Sequence, residues 1–203
     1  MAPRRPQILP VQPGCERDAL KRAVEVLEAG GLVVLPTDTV YGVAAHPAVT
    51  GAQERLFSVK GRDRSKPVPL LADGVEGVVR YGARLGPKER RLAERFWPGP
   101  LTLVLEVGFG REGFRVPDHP FAMALLKAVG GVLRVTSANL SGDPPALTAT
   151  EAVRALGGVV ELVLDGGPVR LGQPSTVAKI ENGDLCIIRE GALTRQELAN
   201  ALE

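Results

Sequence analysis

Lys60 and Arg62 stand two residues apart in KGRDRSKPVPLL, within a run from Arg55 to Lys66 that holds five basic side chains and, after Glu54, one acid, Asp63. In extended chain, residues two apart share a face. A lysine point charge beside a planar arginine fork suits a polyphosphate. The plainer reading is a solvated loop, where most charge runs belong. Ser137 and Asn139, again two apart, follow the apolar strand pattern GVLRVT in TSANLSGDPP. Small hydroxyl and amide groups at a strand's carboxyl end are where open α/β sheets hold ligands. The same residue types also favour turns for purely local reasons.

A third group comes early. LPTDTVYGVAAHP delivers Thr37, with a second threonine, an aspartate and a tyrosine, straight after the apolar run GLVVL. Arg115 in RVPDHP precedes a helix cap and reads as an anion clamp or as one half of a surface ion pair. Ser175 opens a strand in PSTV, and Arg189 closes one in IIREGAL. The chemistry these residues suggest is binding and charge neutralisation. No G-x-S-x-G or cysteine–histidine signature points to acyl transfer. No H-x-x-H or H-E-x-x-H points to a protein-held metal, so none is expected. His46 and His119 sit beside prolines in loops and receive no catalytic role. GFGREG, Gly108 to Gly113, matches a dinucleotide fingerprint only in letters. That fingerprint must open a helix, and FRVPDHP follows instead, so a turn between two strands is expected.

The elements that must position these groups alternate without a strict βαβ beat. ERDALKRAVEVLEAGG has helical spacing and a glycine stop; LVVL reads as a buried strand. TGAQERLFSV and GPKERRLAERFW read as helices, and WPGPLT as a rigid turn with Trp97 in the core before the strand LTLVLEV. PDHPFAMALLKAVGG reads as a helix capped by Asp118 with Pro120 in its first turn. Thr148 with Glu151, and Thr194 with Glu197, read as capping boxes. PVPLLA, FRV, VVELVLDGG, STVAKI and DLCIIRE supply further strands. The expected fold is a single α/β domain: an open, twisted, mixed sheet with flanking helices. Residues 1–13 are expected as a loose arm or an edge strand, and 14–203 as the catalytic domain.

The 203 residues suffice for one domain with a sizeable core, and 44% apolar with 24% charged content is ordinary. A net charge of +2 excludes the global basic field of a dedicated nucleic-acid binder. MAPRRPQILP has no apolar h-region, and no run is long enough to span a membrane, so the cytoplasm is the expected compartment. Cys15 and Cys186 fit neither a disulfide framework nor a metal motif.

In order along the chain, PTDTVYG, KGR, WPGPLT, RVPDHP, TSANLSG, STV and IIREGAL closely resemble the YrdC-type threonylcarbamoyl-AMP synthase family, from about Gly31 to Leu193. The resemblance implies an open α/β sheet with a concave, positively charged face. It also implies an enzyme that joins L-threonine, bicarbonate or carbon dioxide, and ATP into threonylcarbamoyl-adenylate, releasing pyrophosphate. The product passes to a separate transferase complex that modifies tRNA. By resemblance Lys60, Arg62, Ser137, Asn139 and Arg189 bind ATP, with Lys60 and Arg62 catalytic. Thr37, Arg115 and Ser175 would hold threonine, Arg115 at its carboxylate. Two positions depart from the family pattern: Asp63 replaces the usual proline after K-x-R, and PPALT replaces a segment with a serine that could touch phosphate.

Attack of a carbamate oxygen on the α-phosphate brings two anions together, so neutralisation and alignment should dominate. Mg²⁺ would travel with ATP on phosphate oxygens and water. Read as a surface charge, Lys60 should be replaceable by alanine with folding intact and turnover lost. Two rivals remain. One is an RNA-binding module that uses the same concave face, including weak contact with a tRNA stem, which predicts salt-sensitive retention without ATP turnover. The other is a paralogue that transfers carbamoyl groups without adenylation.

Overall fold

The computed structural model describes residues 5–12, 14, 16–61, 67–108 and 110–203. The chain opens with β1 (Gln7–Pro10), α1 (Glu16–Glu28), β2 (Val33–Leu35), β3 (Gly42–Ala45) and α2 (Ala52–Lys60). Next come β4 (Leu70–Ala72), α3 (Val75–Arg80), β5 (Ala83–Arg84), α4 (Pro87–Phe96), β6 (Leu101–Val107) and β7 (Gly110–Arg115). It continues through α5 (Pro120–Ala128), β8 (Val132–Ser137), α6 (Ala149–Leu156), β9 (Leu162–Asp165), β10 (Thr176–Glu181), β11 (Asp184–Arg189) and α7 (Arg195–Asn200).

All strands join one mixed, open sheet in the order β1-β9-β2-β3-β8-β4-β7-β6-β10-β11, with β5 beside β6. Period-two alternation sorts the side chains. Val33, Leu35, Ala44, Leu71, Leu133 and Val135 meet α1 and α5 on one face. On the other face Val34, Val43 and Val163 meet α2 and α6, while Leu70, Leu103 and Phe114 meet α3, α4 and α7. The core beneath α1 and α5 reaches Leu71 of β4 and includes no residue of β7, β6 or β10. The next residue across is polar: Leu71 pairs with Arg115 of β7. Leu103 pairs with Phe114, so Thr102 of β6 shares Arg115's face. Half of one sheet face is thus left open, and its inner margin becomes the site.

Several local expectations change. Lys60 is the last residue of α2, not part of an extended pair, and Gly61 in the left-handed region (φ 56°) ends that helix. Arg62, Asp63 and the rest of 62–66 lie outside the described residues. The cap of α5 is His119, whose Nδ1 accepts from the Ala122 amide at 3.4 Å; Asp118 instead pairs with Arg170 at 2.5 Å. Burial holds the His119 ring below the usual histidine range, against the pull of Asp38 and Asp118, which keeps Nδ1 free to accept. Thr194 and Glu197 form a full capping box, whereas Glu151 accepts from the Leu147 amide, not from that of the cap residue Thr148. β7 begins inside GFGREG, so two glycines of that motif belong to a strand.

Candidate active site

The open margin holds a cleft of about 270 Å³. Its apolar middle is formed by Pro69, Leu71 and Val135, with Gly42 beside them. Gly42 is there for space: a Cβ would stand 2.5 Å from Val135 Cγ1. Polar groups mark the two ends.

At one end β8 runs out through Thr136 and Ser137 into the Asn139 turn, which lines the cleft with Asp143. Asn139 Nδ2 donates to the carbonyls of Leu140 (2.8 Å) and Asp143 (2.7 Å), so the amide orders its own loop. Lys60 lies behind this turn. It is only 2% exposed and does not line the cleft. Its ammonium donates to the Ser137 carbonyl and reaches Thr136 Oγ1 at 3.4 Å, with Ser137 Oγ and Asn139 Oδ1 both at 3.5 Å. The expectation of a surface lysine is therefore corrected: Lys60 is a buried cation that pins the end of β8. The sequence carried a signal for this, because Ala52, Leu56 and Lys60 repeat every four residues along α2, and all three are buried.

At the other end Thr37, Thr39, Arg115, Thr102, Ser175 and Arg189 converge. Thr37 Oγ1 donates to the Val40 carbonyl (2.7 Å) and accepts from the amides of Thr39 and Val40, so it closes its own turn. Arg115 is buried, with Nε donating to Gly99 O (3.0 Å), one terminal nitrogen to Thr39 Oγ1 (2.8 Å) and the other to Asp38 Oδ1. Of its two sequence readings the structure thus shows an ion pair, but a buried one at the cleft wall rather than on the surface. Burial depresses the Arg115 pKa; Asp38 opposes that shift and Arg189 adds to it. Ser175 Oγ shares a hydrogen bond of 2.8 Å with Thr102 Oγ1. Arg189 donates to Ser175 O at 2.7 Å and lines the same cleft as Ser137.

Sequence reasoning gave no site role to Asp38, Thr39, Thr102 or Asp143. Thr102 was recoverable, because Leu101, Leu103 and Leu105 fix the buried face and leave Thr102 on the other. Asp38 was not, since an aspartate between threonines reads equally well as a turn.

A cleft on the open face of an α/β sheet, with arginines and hydroxyls at one end and strand-end hydroxyl and amide groups at the other, has the make-up of a small-molecule site of the anion-binding class. The Sua5/yciO/yrdC family model, described as "Telomere recombination", matches residues 25–191, and the chain belongs to this family. A relative from Mycobacterium tuberculosis is 38% identical over 193 residues, covering 89% of this chain and 87% of its own. The Mus musculus protein named threonylcarbamoyl-AMP synthase is 38% identical over 193 residues, covering 86% of this chain and 67% of its own. The crystal structure of Pyrococcus abyssi Sua5 complexed with L-threonine superposes with a TM-score of 0.90 at 29% identity over 96% of this chain. This chain spans 60% of that longer one. Among the described residues no helix is long and apolar enough to cross a membrane.

Proposed function

We propose that this protein is an L-threonylcarbamoyladenylate synthase. It would combine L-threonine, bicarbonate or carbon dioxide, and ATP, and release pyrophosphate, in service of threonylcarbamoyladenosine formation in tRNA. The observation that carries the reading is the two-ended cleft: a buried arginine among hydroxyls at one end, and the Ser137–Asn139 turn at the other. The L-threonine complex of the P. abyssi relative supports the assignment of an amino acid to such a fold.

In this reading Arg115 takes the threonine carboxylate, with Thr37 and Ser175 near its polar groups. The neutral α-amine adds to carbon dioxide and loses a proton, giving a carbamate. A carbamate oxygen then bonds to the α-phosphorus of ATP, and the bond to the β-phosphate oxygen breaks to release pyrophosphate. The apolar middle of the cleft excludes water from this junction. Ser137 and Asn139 present the nucleotide end. Lys60 contributes positive charge from behind the turn and fixes its geometry, and Arg62 offsets phosphate charge; Arg189, held by Ser175 in the lining of the same cleft, would meet the phosphates where nucleotide and threonine join. Mg²⁺ would come with the nucleotide. Among the described residues the lining carries one carboxylate, Asp143, beside hydroxyls, a hard-oxygen set that suits a phosphate-borne ion. The product would pass to a separate transferase complex. The RNA-binding rival draws less support, since Arg111 and Lys179 on the open face are paired with Glu106 and Glu181.

Pyrophosphate release from MgATP, measured with threonine and bicarbonate omitted in turn, tests the reading. Release that requires both is expected. Release that ignores threonine, or salt-sensitive RNA retention without any release, overturns it.

A further inference from the structure

Asp38 has no assigned role, yet it is the most enclosed charge at the site, its side chain fully buried. Oδ1 receives both the Arg115 guanidinium and the Asp118 amide (3.2 Å), and the Asp38 carbonyl receives Leu171 N at 2.9 Å. Oδ2 is buried and meets no partner among the described residues. As a stabilising device this is a poor design: a buried ion pair roughly breaks even at best, and an unsatisfied carboxylate oxygen makes it worse. What the pair does supply is orientation. Arginine has five N–H groups. Gly99, Thr39 and Asp38 take one each, leaving one N–H on each terminal nitrogen of a guanidinium that lines the cleft.

We propose that Asp38 is a positioning residue that locks the Arg115 fork with its remaining N–H groups toward the cleft, so that the substrate carboxylate meets a preset two-pronged donor. This rests on the synthase reading above. Asp38 does not line the cleft and touches no substrate; it acts through Arg115.

The test is pyrophosphate-release kinetics on wild type, Asp38→Asn, Arg115→Lys and the double variant. Asp38→Asn should raise the threonine KM roughly tenfold to a hundredfold, the scale of a lost charged hydrogen bond. The ATP KM should stay within about twofold, and the double variant should be no worse than Arg115→Lys alone. A threonine KM near the wild-type value, a parallel rise for ATP, or additive single effects overturns the proposal. Should Asp38→Asn fail to fold, Thr39→Val removes another acceptor of the same fork and must show the same threonine-selective rise. If wild type requires threonine but Arg115→Lys leaves its KM unchanged, the clamp assignment falls and this proposal with it. Threonine-independent release overturns the synthase reading instead.

Discussion

Lys60 shows what burial does to a residue that looks like a surface charge. Its ammonium supports the Ser137 carbonyl and the Ser-x-Asn turn from within. Lys60→Ala would strand those acceptors, at a cost of about 1–3 kcal/mol, which is a few degrees of Tm in a chain of this size. Both a lower melting temperature and loss of pyrophosphate release are therefore expected. A melt matching wild type would show that Lys60 acts on the nucleotide alone. Among the described residues Ser137, Asn139 and Thr37 line the cleft, and their types and strand-end positions were legible in the sequence. Their partners were not: the Arg115–Asp38 pair joins positions 77 apart, and nothing local marks it. Lys60 was misjudged because its neighbours in sequence are charged, while its helical stripe is apolar.

At the level of elements, the cleft depends on adjacent strands each placing a small or polar group on one face. Gly42 is the position where this fails most easily. Gly42→Ala should push Val135 into the cleft, lowering kcat/KM for both substrates and costing about 1–3 kcal/mol by overpacking. Wild-type kinetics together with a wild-type melt would mean that the strands shift to make room. Long, patterned elements could be read from sequence: α1, α4, β6 and α7 lie where spacing and caps put them. Short ones could not. β3 is GVAA, which has no alternation of its own and owes its place to β2 and β8. α3 has a glycine at its centre, and β5 is two residues long. Such elements exist because their neighbours do, not through intrinsic propensity.

Across the whole molecule, Tyr41 ties the turn before β3 to the loop after β9. Its hydroxyl donates to Gly167 O at 2.7 Å and accepts from Gly166 N at 3.1 Å. Burial pushes its pKa up to about 12 from an ordinary 10.0. Below pH 10 both folded and unfolded chains keep this proton, so its contribution is constant. Between pH 10 and about 12 the unfolded chain loses the proton first, so stability falls as pH rises. Urea midpoints measured across that window should drop more steeply for wild type than for Tyr41→Phe; equal slopes would remove Tyr41 from the account. The open sheet and its mixed topology were foreseeable from the pattern of strands and helices. The strand order was not, because most of its pairings join segments distant in the chain.

One of those pairings bears on how the protein is made. Leu9 of β1 sits beside Leu164 of β9, and β2 leans on the same strand. On a ribosome β1 must therefore wait about 150 further residues for that partner and β2 about 130, roughly 6–30 s at ordinary elongation rates. During that interval β3, α1 and α2 can cover the apolar VVL of β2, but its edge toward β9 stays unpaired. The nascent chain is thus most exposed to chaperones, and to misassembly, along that unpaired edge of β2, one strand away from the wall of its site.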